Sequence, residues 1–179
     1  MKKLFVLFLI ICTLCSVTSC TIPNNTDSLI PPIDTVFKIP NYHLQITADN
    51  TFEEKTGGSY DLQITNGNTY ISIMAYKYID LPSNLTPQDV YDMQNEDLFN
   101  KRTAVKNIEK AKTQTIGQRV ITSALYSAEK NGSKNYYASY LIDFPNAEVF
   151  AWVLVTAVPS YLNENRDFLH NIVCSLTTT

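Results

Sequence analysis

The chain has 179 residues, 45% of them apolar and 17% charged, with 14 Lys/Arg against 17 Asp/Glu and a formal net charge of −3. That length fits one domain and lets the chain bury most of its unfolded surface without help from metals or disulfides. The acidic balance argues against nucleic acid as a partner and against adhesion to anionic lipid through a basic patch, since both require clustered Lys and Arg.

Lys2 and Lys3 precede an unbroken apolar run from Leu4 to Ile11 that continues through Leu14 and Cys15 before Ser16, Thr18 and Ser19. This is the pattern of a signal peptide, and it falls short of the roughly 20 apolar residues that a membrane-spanning helix needs. Val17-Thr18-Ser19-Cys20 resembles the bacterial lipobox. The resemblance implies cleavage before Cys20, lipid on its thiol, and attachment to the extracytoplasmic face of a cell membrane, where two acyl chains suffice for stable anchoring. An ordinary secretory signal cut nearby would instead leave Cys20 a free thiol. On the lipoprotein reading Cys12 and Cys15 leave with the peptide, so their C-x-x-C spacing carries no metal or redox role. Cys20 is capped and Cys174 stands alone, without an internal disulfide. Loss of residues 1–19 leaves 160 residues, 12 basic against 17 acidic, net −5.

Residues 20–40 contain Asn24-Asn25-Thr26-Asp27-Ser28 and Pro31-Pro32 and read as a lipidated cysteine followed by a flexible tether, with a single domain over 41–179. Strand patterns follow at Tyr42 to Thr47, Tyr60 to Thr65 and, after Asn66-Gly67-Asn68, Tyr70 to Tyr78. The last of these is apolar or aromatic on both alternating faces, which predicts cover on both.

Thr86-Pro87-Gln88-Asp89 opens a helix to about Lys101, through a capping Thr, a first-turn Pro and an acid near the positive dipole end. Val90, Tyr91, Met93 and Leu98 form its apolar arc, with Gln94 and Asp97 falling inside it, so Asp97 is expected either to have a partner or to lie past the helix end. The second half reads as strands Gln118 to Glu129, Lys134 to Phe144 and Glu148 to Val158, joined at Asn131-Gly132 and Pro145-Asn146. After Pro159-Ser160 a final helix places Phe168, Leu169, Ile172, Val173 and Leu176 on one side.

The fold class is α+β, an antiparallel sheet of about six strands in βββα-βββα order with helices packed on it. The opening Phe37-Lys38-Ile39-Pro40, the long paired strands and the closing Phe168…Ile172…Ser175-Leu176 segment resemble the PsbP-like group of α/β/α sandwiches, which includes bacterial lipoproteins. That resemblance implies a domain that binds or stabilises a protein partner and carries over no catalytic residues.

The sequence contains neither Gly-x-Ser-x-Gly nor His-Glu-x-x-His, and Gly57-Gly58 lacks the Gly-Lys-Ser/Thr continuation of a phosphate loop. No cofactor and no metal site is implied; Asp89, Asp92, Glu96 and Asp97 read as a solvated helix face rather than a calcium loop. Of the two histidines, His43 falls in a strand, while His170 lies one turn before Cys174 and one turn after Asp167. A nearby imidazolium would depress the Cys174 thiol and activate it; the plainer reading is a packed thiol and a His near the helix end. Tyr70, Tyr76 and Tyr78 on one strand and Tyr136, Tyr137 and Tyr140 on another read as sheet packing, or as the lining of one partner groove. The function that follows is a lipid-anchored, non-catalytic module binding a protein or cell-envelope component. The alternative is a surface enzyme or thiol-dependent factor using His170 and Cys174.

Overall fold

A computed structural model describes residues 33–179. The signal sequence, the lipobox with Cys20 and the first part of the tether lie outside the described residues. In chain order the elements are β1 (Asp34–Ile39), β2 (Leu44–Asp49), β3 (Glu53–Glu54), β4 (Leu62–Thr65), β5 (Thr69–Lys77), α1 (Pro87–Asn100), β6 (Thr103–Ile116), β7 (Arg119–Lys130), β8 (Ser133–Phe144), β9 (Val149–Ala157), α2 (Pro159–Glu164), α3 (Arg166–Cys174) and β10 (Thr177–Thr178). They form a seven-stranded antiparallel sheet, β3-β4-β5-β9-β8-β7-β6, and a three-stranded sheet, β1-β2-β10. The α+β class stands, but a single sheet of about six strands in βββα-βββα order does not.

Two elements account for most of that difference. β1 takes Asp34–Ile39 out of the stretch read as tether: Phe37 and Ile39 are buried between exposed neighbours, an alternation hidden by the polar and proline-bearing residues before it. β6 occupies Thr103–Ile116, where no element is expected. It is an edge strand exposed along almost its whole length, and a strand wetted on both faces has no hydrophobic period to read.

The hairpins are set by local chemistry. Asn131 and Gly132 both take positive φ (53° and 77°) in the two-residue turn between β7 and β8, the geometry that matches strand twist. Ile39-Pro40-Asn41-Tyr42-His43 and Phe144-Pro145-Asn146-Ala147-Glu148 share another solution. In each, Pro starts one 3-10 turn, the last residue enters the left-handed region at φ 52°, and its N–H donates to the Pro carbonyl at 3.2 Å.

The large sheet is covered on both faces, as the apolar run Val149–Ala157 predicts. One face buries Ile71, Ile73, Val153 and Ile142 against Phe37, Leu44 and Ile46 of the small sheet and Leu162, Leu169 and Val173 of α2 and α3. Phe168 departs from the expected apolar arc: it is 37% exposed and touches Phe52 with ring centroids 6.3 Å apart. The expected final helix is in fact two, and Leu176 is buried just beyond the second.

The opposite face packs Phe150, Trp152, Leu154 and Tyr137 against Val90, Tyr91 and Leu98 of α1. Here the apolar arc is corrected: Met93 is 55% exposed, and Asn95 turns inward instead. Asn95 Oδ1 accepts from Ser139 Oγ at 2.6 Å and from Trp152 Nε1 at 3.2 Å, so the buried amide oxygen is satisfied. Asp97 points to solvent and pairs with Lys101 at 2.7 Å.

The start of α1 is a full capping box. Thr86 Oγ1 accepts from the Asp89 backbone N–H at 3.2 Å, and the Thr86 N–H donates to Asp89 Oδ2 at 2.7 Å. Thr86→Ala is expected to lower stability by about 1 kcal/mol, read as a shift of the denaturant midpoint with unchanged slope.

Candidate functional site

β7, whose alternate residues still join the two cores, and the exposed edge strand β6 form one side of the sheet together with the adjoining ends of α1 and β8, a basic ribbon. Residues 101–134 carry eight Lys/Arg against two Glu, net +6, whereas the other described residues carry four Lys/Arg against fourteen Asp/Glu, net −10. The overall acidity is therefore the sum of a basic ribbon and a strongly acidic remainder. This corrects the inference from total charge that Lys and Arg are unclustered.

A cleft runs between this ribbon and α2–α3. Arg166 at the start of α3 reaches across it to Glu109 on β6, and this hydrogen-bonded ion pair holds the Glu109 carboxyl below and the Arg166 guanidinium above their ordinary ranges. The mouth, about 430 Å³, is lined by Lys112, Ser123, Tyr140, Arg166 and His170 among others. Burial pushes the Tyr140 phenol up to about 12, so it is a neutral hydroxyl there at physiological pH.

Further along, Arg119 at the start of β7 donates through Nη1 to the carbonyls of Cys174 and Leu176, both at 2.6 Å. A cation at the carbonyl end of a helix is favoured by the dipole as well as by the bonds. Arg119 and Cys174 line a second hollow of about 450 Å³ with Ile116, Phe144, Ser175 and Thr178.

The His170–Cys174 spacing does bring the two side chains together, with Sγ 3.4 Å from Nε2, and the Tyr140 and His170 rings lie 5.9 Å apart. The environment of the thiol favours the plainer reading, however. Burial raises the Cys174 thiol above its ordinary value and outweighs the positive charge of Arg119. The group is thus a half-buried neutral thiol at pH 7. Its alkylation by iodoacetamide at pH 8 is expected to run at least about threefold slower than that of a free cysteine in an unstructured peptide, with the rate still climbing past pH 9. A rate at pH 7 above the peptide's would mean an activated thiolate.

The six tyrosines do not converge. Tyr136 and Tyr140 belong to the face covered by α2 and α3, while Tyr76 and Tyr137 belong to the face covered by α1. Tyr137 and Tyr140 are buried, and Tyr70 is exposed at the start of β5. Tyr78 follows β5 and donates its hydroxyl to Asp143 at 2.7 Å. No single groove unites them. His43 is exposed, in the left-handed turn after β1. Sequence reasoning missed Lys112, Glu109, Arg119 and Arg166, although the run of eight cations within 101–134 was there to be counted. Among the described residues there is no group of three or more metal-ligating side chains and no helix long and apolar enough to cross a membrane.

No protein-family model and no curated protein sequence matches the chain. Solved structures do match it in fold. A cyanobacterial PsbP (CyanoP) from Synechocystis superposes with TM-score 0.61 at 9% identity, covering 82% of this chain and 92% of its own. LpqN of Mycobacterium tuberculosis, described as involved in cell envelope biogenesis, gives 0.56 at 14%, covering 83% and 86%. The Saccharomyces cerevisiae Ran-binding protein Mog1p gives 0.55 at 11%, covering 82% and 96%. The domain therefore has the PsbP-like fold.

Proposed function

We propose that the chain is a bacterial lipoprotein precursor cut before Cys20, and that lipid on this cysteine holds it on the extracytoplasmic face of a membrane. On that tether it presents a non-catalytic domain that binds a protein or cell-envelope component. The observation that carries the binding reading is the separation of charge: a basic ribbon beside an acidic body is suited to electrostatically guided docking. The fold supports it by analogy, since Mog1p is a Ran-binding protein and LpqN is involved in cell envelope biogenesis. The thiol-dependent alternative has the 3.4 Å Cys174–His170 contact in its favour, but a thiol held neutral by burial is poorly suited to nucleophilic work.

The anchor is tested by intact mass and membrane partitioning of the wild type beside Cys20→Ala, both expressed in a bacterium that processes lipoproteins. The wild type should carry acyl mass on a chain that begins at Cys20 and should pellet with membranes, while the variant should do neither. Two unlipidated, soluble products would remove the anchor from the account.

A further inference from the structure

We propose that the basic ribbon is the docking surface for an acidic, extended polypeptide segment that adds as a strand to the outer edge of β6; this names the partner class for the binding-module reading and rests on it. β6 is 14 residues long and ends the seven-stranded sheet, so among the described residues no strand pairs with its outer edge. Cations lie along that edge. Lys110 and Lys112 line the cavity toward α2–α3, and Lys106 is exposed on the same strand. Successive side chains of an added strand point to opposite faces, so every second residue projects toward the face that Lys110 and Lys112 line, and an acid there meets them. Val105, Ile108 and Ile116 are 37–45% exposed and offer apolar contact between the charges.

Charge selects among the occupants. The ribbon of a second copy carries the same net +6, and lysines along an edge oppose pairing with a like edge. An anionic bilayer would satisfy the cations but offers no alternating donors and acceptors at strand spacing for the open backbone. A polypeptide offers both. The β6–β7 register shifts between Thr103 and Lys112 but is regular from Lys112 to Ile116, which makes that stretch the natural start for strand addition.

The test uses the intact protein, a fluorescent peptide of about ten residues alternating Glu and Thr, and the same peptide N-methylated at alternate backbone nitrogens. Binding is read by anisotropy at low and high salt. The wild type should bind the first peptide, more weakly as salt rises. The triple variant Lys106→Glu, Lys110→Glu, Lys112→Glu should lose at least about tenfold in affinity, and so should the N-methylated peptide on the wild type, a comparison that does not depend on the variant folding. No binding, or equal binding of the variant, overturns the proposal. Equal binding of the N-methylated peptide overturns strand addition. Capture of phosphatidylglycerol vesicles in place of the peptide makes the ribbon a membrane contact and overturns it as well. If any of these occurs while cross-linking on cells still joins another face of the domain to a partner, the ribbon assignment has failed and the binding-module reading has not.

Discussion

Phe150→Ala is expected to lower the stability of the domain by about 3–5 kcal/mol, the range for deleting a fully buried aromatic side chain. Phe150 is 0% exposed at the centre of the sheet, opposite Tyr76 on β5 and Asp143 on β8. Its ring stacks on Tyr76 at 5.0 Å and tilts against Tyr78 at 5.8 Å. Tyr78 is in turn held by its bond to Asp143, whose carboxyl burial pushes above the ordinary range. The alanine would therefore leave a cavity and loosen the aromatic group that closes this end of the face under α1. Chemical denaturation checks it: the midpoint should fall with the slope unchanged. Phe150→Leu, which keeps much of the volume, should cost less than about half as much. A loss below about 1 kcal/mol for the alanine would mean that the neighbouring rings collapse into the space.

Arg119→Ala is expected to cost about 2–3 kcal/mol, because two charge-assisted bonds disappear and two carbonyls at the end of α3 lose their donor. The effect should be local as well as global. Beyond Cys174 the chain continues into β10, which pairs with β2, and Ser175 Oγ accepts from the Thr47 N–H at 2.8 Å. Hydrogen exchange should therefore quicken over residues 174–179 before the sheet is affected. Arg119→Lys should recover part of the loss, since an ammonium can reach a carbonyl but lacks the guanidinium fork. Unchanged exchange in the alanine variant would show that β10 alone holds the terminus.

What the sequence reveals follows from how much water each element meets. β9 is legible because Val149–Val155 is apolar on both faces, and the start of α1 because Thr86, Pro87 and Asp89 each have a local reason to be there. The buried face of α1 is not legible. Asn95 is a poor core residue until Ser139 and Trp152 supply its partners, and these lie 44 and 57 residues away. β6 is hidden because its side chains answer to solvent and charge, and the net charge of the whole chain conceals a ribbon at +6 beside a body at −10. At the thiol, a spacing of four residues does place Cys174 beside His170, but spacing carries no information on burial, which sets the direction of the shift.

Photo-crosslinking on living cells decides whether the domain is a surface module that works by non-covalent binding. A photoreactive residue is placed in turn at Lys112 on the ribbon and at exposed positions on the acidic body, each in the wild type and in Cys174→Ala. Lys112 should give a discrete adduct that is equally strong when Cys174 is alanine. Absence of an adduct from every position, or an adduct that vanishes with the thiol, would contradict it.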